Sequence, residues 1–325
     1  AEQSSIPVVS AFRYVDQFDN YSEVYCGEAG VGMPAYIKQM LSDADLILAI
    51  NVRFGEMSTD GYSLLGVPEP SQTLIHVHSS DAEIGKIYSP VLGVHCGPNV
   101  FAQSLKVVCG PWQDWCTQWR DHYLRYFTEV PVQPSPVDMS QVCAHLREVL
   151  PDDVIVTNGA GNFTVWPGKF IRYGQQARLL APQSGAMGYG LPAAITAKLE
   201  YPERTVVCFA GDGDLQMNIQ ELATAAQSGA CPIILVVNNG IYGTIRAHQE
   251  THYPARVFGT TMSNPDFVLL AQAYGFFAQR VDNTSAFAAA FERALASRTG
   301  ALLDLSVSSE AISPFKRLSD LGATQ

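Results

Sequence analysis

Short apolar runs alternate with segments of helical spacing along this chain. Ile6–Ser10, Leu46–Ile50 and Leu74–His78 are largely apolar and predict buried strands. Pro34–Asp43 and Asp81–Ile87 carry helical spacing, with Asp81 a candidate cap and Glu83 in the first turn. The pattern then repeats. It predicts a helix over about Ser140–Leu150, a strand over Val154–Thr157, and strands at Val206–Ala210 and Ile233–Val237 with a helix between them. Helices near Pro265–Tyr274 and Ser285–Ser297 and a final strand, Ala301–Val307, complete it. Apolar strands alternating with helices form parallel sheets covered on both faces. The predicted fold class is therefore α/β, with two doubly wound parallel-sheet domains.

Residues 126–137, YFTEVPVQPSPV, hold three prolines and no helical period. They predict domains over 1–127 and 138–325, joined by a linker over 128–137. The length of 325 residues suits two domains, and 47% hydrophobic residues can fill two cores. A net charge of −11 without a basic run argues against nucleic acid or an acidic membrane surface as partner. No apolar stretch reaches the roughly 18 residues of a membrane span. AEQSSIPVV reads as neither a signal nor a transit peptide. The seven cysteines are scattered and form no CxxC pair, which argues against zinc and a disulfide framework. A cytoplasmic protein with reduced thiols is the expectation.

The chemistry concentrates where two predicted strands end. Gly211-Asp212-Gly213 closes the first, and Asn238-Asn239 closes the second after 24 intervening residues. Neighbouring parallel strands place such ends together at the carboxyl edge of the sheet. Asp212 and Asn239 could then share one small cation, and Mg²⁺ prefers a few such oxygens plus phosphate oxygens. Gly211 and Gly213 let the backbone approach a diphosphate, and the following helix points its amides at it.

GDG, the 24-residue gap and NN resemble the diphosphate-binding motif of thiamine-diphosphate (ThDP) enzymes. Ser184 to Ala194, SGAMGYGLPAA, resembles the pyrimidine-side segment of the acetolactate synthase branch of that family. The resemblance implies several roles. Met187 wedges between the cofactor rings and bends the cofactor, and the Gly185 carbonyl accepts from its 4′-amino group. The Ile241 carbonyl joins Asp212 and Asn239 on Mg²⁺. Gly161 and Asn162 lie over the diphosphate, where acetolactate synthases often carry Gln-His. Gly243 and Thr244 join the cofactor-binding residues, and Thr244 and Ile245 begin a helix on the substrate side. Asp214 is counted among the cofactor-binding residues; by its position two residues past Asp212 it reads as topping the helix N-terminus, and Glu221, inside that helix, reads as structural. Arg246, His248, Gln249 and His252 either face substrate, with the arginine pairing a carboxylate, or form a solvated face.

The first part resembles the central domain of the same enzymes through Pro7-Val8-Val9-Ser10, ADLILAINVRFGEMST and LIHVHSSDAEIGK. That domain binds FAD in acetolactate synthases and an adenine nucleotide in some relatives. Here the usual RFDDR-like run reads Arg53-Phe54-Gly55-Glu56-Met57, and His76 and His78 replace acidic residues. FAD is doubtful on these grounds. His76 and His78 lack a third ligand, so a metal between them is not expected.

The resemblance implies a ThDP- and Mg²⁺-dependent carboligase or decarboxylase acting on 2-keto acids, with pyruvate going to acetolactate as the closest precedent. Rivals are a decarboxylase or lyase on another 2-keto acid, an acyl-CoA or an acyloin, and a non-catalytic ThDP-binding module. The family's pyrimidine-binding domain, with its activating glutamate, has no match in this sequence. The expectation is a fragment or one half of a split enzyme. The complete protein would be a homo-oligomer, dimer or tetramer, or would take that domain from a second chain.

Overall fold

The computed structural model describes residues 1–321. The chain divides into two units, one from Ala1 to Phe127 and one from Thr128 onward.

The first unit contains β1 (Val8–Ala11), β2 (Tyr25–Ala29), α1 (Ala35–Asp43), β3 (Leu46–Ile50), β4 (Thr73–His78), β5 (Leu92–His95) and α2 (Pro98–Ser104). The helix α3 (Gln113–Thr128) closes it. β1 pairs with β2, and β3, β4 and β5 form a second sheet in that order; every pairing is parallel. Ala49 and Leu74 face a small core with Leu65 and Tyr88. Arg120 of α3 is buried and donates to the carbonyls of Asn20, Tyr21 and Tyr25, which pins the start of β2.

Two expectations are corrected here. β3 is a strand, but Leu46, Leu48 and Ile50 lie on an exposed face, so it is buried on one side only. The helix expected over Asp81–Ile87 is a single tight turn, Asp81–Glu83, and Asp81 caps nothing. Gly85 follows with φ 76°, a left-handed conformation that ends helical winding. β2 escaped the pattern because Gly27 interrupts its apolar run, and β5 because it is only four residues long.

Glu28 of β2 accepts from the Arg13 amide at 2.7 Å, and burial pushes its carboxyl up to about 7. The native state then keeps a proton that the unfolded chain has released. Stability is full below the usual glutamate range and falls as pH rises to about 7. The expected loss between pH 4 and pH 8 is on the order of 1–3 kcal/mol, discounted for partial exposure. Urea unfolding at several pH values should show this slope in the wild type and a flatter one in Glu28→Gln. Parallel profiles would refute it.

The second unit opens with residues 129–137, which bond along its own body. Gln133 is buried and donates through Nε2 to the Pro314 carbonyl at 2.8 Å, and the Val137 amide donates to Ser306 at 3.1 Å. α4 (Met139–Val149) follows, capped by Asp138, which accepts from the amides of Ser140 and Gln141. Then come β6 (Ile155–Asn158), α5 (Val165–Phe170), β7 (Arg178–Leu180), α6 (Gly190–Glu200) and β8 (Val206–Gly211). α7 (Asp212–Leu215), α8 (Leu222–Ser228), β9 (Ile233–Asn238), α9 (Gly243–His252) and α10 (Phe267–Ala273) continue the chain. β10 (Phe277–Val281), α11 (Phe287–Leu295) and β11 (Ala301–Ser306) precede a short antiparallel pair, β12 (Ala311–Ser313) and β13 (Lys316–Arg317).

Six strands form one parallel sheet in the order β10-β11-β9-β8-β6-β7. Val206, Cys208, Ala210, Ile234 and Val236 pack in one cluster with Leu191 of α6, Leu222 of α8 and Phe267 of α10. The alternate positions Val207, Phe209, Leu235 and Val237 are buried too. A sheet covered on both faces needs such all-apolar strands. β7 and β8 flank β6 on opposite sides, so the connections diverge at the carboxyl end of β6, where sheets of this kind open a crevice. The single helix expected after GDG is broken in two. Asn218 leaves helical geometry at φ −140°, and its side-chain amide donates to the Gly188 carbonyl at 3.0 Å.

Candidate functional site

The carboxyl ends of β6, β8 and β9 open into a cleft of about 500 Å³. Every residue expected to touch cofactor or cation lines it, except Gly185. Gly185 stands exposed on the loop before α6, with φ 74° and its amide bonded to the Pro182 carbonyl.

Asp212 follows β8 directly and is 2% exposed. Its Oδ2 accepts from the Gly240 amide at 2.8 Å and from Asn264 Nδ2 at 2.6 Å. Burial raises its carboxyl above the ordinary range, and these bonds pull it back down. Asn239 lies at the end of β9, and its Oδ1 accepts from the Ile241 amide at 3.1 Å. The backbone at Gly240 and Tyr242 pairs with Met262 and Thr260, which fixes the loop carrying Ile241.

Asp214 is equally buried, and desolvation pushes its carboxyl up to about 6. One oxygen, Oδ1, accepts from Ala160 N at 3.0 Å and from Gly188 N at 2.9 Å. It thereby ties the turn after β6 and the loop before α6 to the GDG segment. Gly159 makes this possible: a Cβ there would lie 1.9 Å from Asp214 Oδ1. Gly188 adopts φ 82°, and a Cβ there would lie 2.7 Å from Met217 Cβ and 2.9 Å from Asn218 Nδ2, so it too must be glycine.

Asn162 contributes bonds within the wall. Its amide donates to Thr244 Oγ1 at 2.8 Å, and its Nδ2 donates to the Ile312 carbonyl at 3.0 Å. It joins the turn after β6, the first turn of α9 and β12. Met187 reaches the cleft partly exposed. Arg246 is held by Glu250 one turn later at 2.8 Å, and His248 and His252 stack with ring centroids 6.0 Å apart on the exposed side of α9. His248 and His252 are exposed, whereas Arg246 and Gln249 are half-buried, with Gln249 Nε2 donating to the Phe258 carbonyl at 2.8 Å.

Comparison with known proteins decides the family. A model described as "Thiamine pyrophosphate enzyme, C-terminal TPP binding domain" matches residues 159–305, which hold GDG and NN. A second, "Thiamine pyrophosphate enzyme, central domain", matches residues 1–105. The chain belongs to the thiamine pyrophosphate enzyme family. The acetolactate synthase large subunit of Parasynechococcus marenigrum (strain WH8102) is 30% identical over 318 residues, covering 94% of this chain and 50% of that protein. The Escherichia coli (strain K12) acetolactate synthase isozyme 2 large subunit is 29% identical over 288 residues, covering 87% of this chain and 51% of its own. The mitochondrial acetolactate synthase of Schizosaccharomyces pombe (strain 972 / ATCC 24843) is 29% identical over 336 residues, 97% of this chain and 50% of its own. The chain spans about half the length of the curated relatives it matches.

ThDP and a cation fit the cleft on two observations. Asp212 and Asp214 are buried carboxylates, and among the described residues neither forms an ion pair. A buried anion without countercharge is costly, and a divalent cation offsets it. Trp166 lines the same cleft fully buried, and its indole N–H has no acceptor among the described residues. A phosphate oxygen of the cofactor would supply one.

Sequence reasoning missed Trp166 and Asn264. Asn264 lies far along the chain from the carboxylate it holds, and neither residue belongs to a motif read from the sequence. In the first unit, His76 is 1% exposed, packs edge-on against Phe54 and bonds the Val52 carbonyl at 2.9 Å, a core role. Among the described residues no group of three His, Cys, Asp or Glu could hold a metal. No helix among them is long and apolar enough to cross a membrane.

Proposed function

We propose that this chain carries the diphosphate-binding half of a ThDP- and Mg²⁺-dependent enzyme that decarboxylates a 2-keto acid and joins the remaining fragment to a second carbonyl. The reading rests chiefly on Asp212, a buried carboxylate without an ion pair among the described residues, sharing a cleft with Asn239 and Ile241. Oxygens of these three residues would hold Mg²⁺. Gly211 and Gly213 would let the backbone near the diphosphate, and Trp166 would donate to it. Met187 would press between the cofactor rings and keep the cofactor bent. Bound there, ThDP would supply the carbon nucleophile that permits loss of CO₂ from the keto acid.

No glutamate lines the cleft among the described residues. The carboxylate that activates the cofactor would therefore come from another polypeptide segment, in a homo-oligomer of the complete enzyme or from a second chain. Pyruvate to acetolactate is the favoured reaction, on the names of the relatives. The rival is a decarboxylase or lyase on a different keto acid, an acyl-CoA or an acyloin. Product analysis with pyruvate, with and without an added aldehyde, separates the two. We place the enzyme in the cytoplasm, where reduced cysteines are the rule.

Met187→Ala should lower turnover of the assembled enzyme by about tenfold or more while ThDP affinity stays within about threefold. That split is the signature of a residue that shapes the cofactor without anchoring it. Unchanged turnover, or an equal loss of affinity, would remove the wedge role.

A further inference from the structure

Asn264 lies just before α10 and touches both halves of the GDG and NN pair. Its Nδ2 donates to Asp212 Oδ2 at 2.6 Å and to Asn238 Oδ1 at 2.9 Å. Its Oδ1 accepts from Gln216 Nε2, just beyond α7, at 2.9 Å. The Gly240 amide also bonds Asp212 Oδ2. Two donors on one oxygen fix the rotation of the carboxylate, and with it the direction of Oδ1.

The network continues beneath the sheet edge. Asn238 Nδ2 donates to Asp304 Oδ1 at 2.9 Å. Asp304 is 1% exposed between Leu303 and Leu305 of β11, and Arg280 Nε donates to its Oδ2 at 3.2 Å. Arg280 also pairs with Asp266, whose carboxylate caps α10 through the Leu269 amide. A charged residue inside an apolar strand is costly unless its partners are fixed. Here the partners lead from the surface of β10 to the carboxylate in the cleft.

We propose that Asn264 is a positioning residue for the cation site, held in place by Asn238 and Asp304. It acts through Asp212, turning the carboxylate so that a divalent cation and a diphosphate are bound together. This inference rests on the cation reading of the cleft given above. Outer partners of metal ligands typically contribute about 10–100-fold to metal affinity, although they never touch the metal.

The test titrates inorganic pyrophosphate into the full chain by calorimetry, at graded Mg²⁺ concentrations and in EDTA. Asn264→Ala should raise the Mg²⁺ concentration for half-maximal binding by about tenfold or more. Pyrophosphate affinity in EDTA should stay within about twofold, a selectivity that a merely structural role does not give. Asn264→Ser, which keeps a small polar group, serves if the alanine variant does not fold. In an Asp212→Ala background the same substitution should add less than about twofold, because its route is already removed. A normal Mg²⁺ requirement in the variant, an equal loss in EDTA, or an additive effect in the double variant would each overturn the proposal. A wild-type chain with no Mg²⁺ dependence would overturn the cation reading itself, and Asn264's role with it.

Discussion

Asp212→Ala is expected to abolish Mg²⁺-dependent ThDP binding, with a loss on the order of 100-fold or more. Asp212 is the charged member of the proposed ligand set; Asn239 and Ile241 offer only neutral oxygens. Removing it also leaves the Gly240 amide and Asn264 Nδ2 without their shared acceptor. Asp212→Asn keeps the size and one acceptor oxygen but not the charge. It should retain the fold and still lose most of the Mg²⁺ dependence. Calorimetry with ThDP, in Mg²⁺ and in EDTA, checks both variants. Unchanged affinity in Asp212→Ala would remove the metal assignment.

Gly159→Ala is expected to have the second-largest effect, and to act by a different route. The added Cβ would sit 1.9 Å from Asp214 Oδ1 and 2.4 Å from the other carboxylate oxygen. Asp214 cannot simply swing away, because that oxygen accepts from Ala160 and Gly188. Relief of the clash would strand two backbone donors at about 1–3 kcal/mol each, or force the turn after β6 to move. A net loss of about 2–4 kcal/mol follows, a drop in Tm of about 5–15 °C for a unit of this size. Because the same carboxylate joins three walls of the cleft, ThDP binding should fall as well. Gly168→Ala is the control, since its Cβ would meet open space in α5 and should be neutral or slightly stabilising. Equal melting of the two variants would show that Asp214 is not the clamp.

Much of this fold was legible because its inner strands are continuously apolar. β8, β9 and β11 announce themselves as runs that no amphipathic element would carry. β7 and β10 did not, because three residues of Arg178–Leu180 and the half-exposed Phe277–Val281 lack that signal. The helix after GDG was extended through Asn218, whose side chain instead holds Gly188. At the site, GDG and NN stood out because a glycine turn and two oxygen-bearing side chains close two apolar runs at the spacing of the family motif they resemble. Asn264 and Trp166 did not, since their roles exist only once distant segments meet. The Arg246–Glu250 pair had the i,i+4 spacing of a helix ion pair, so it was present in the pattern.

The most direct test of the cleft is a crystal structure of this chain grown with ThDP and Mg²⁺. The account predicts one cation at about 2.0–2.1 Å from a carboxylate oxygen of Asp212, Asn239 Oδ1 and the Ile241 carbonyl, and bridging to the diphosphate. A diphosphate bound without that cation, or a cation seated away from Asp212, would contradict it.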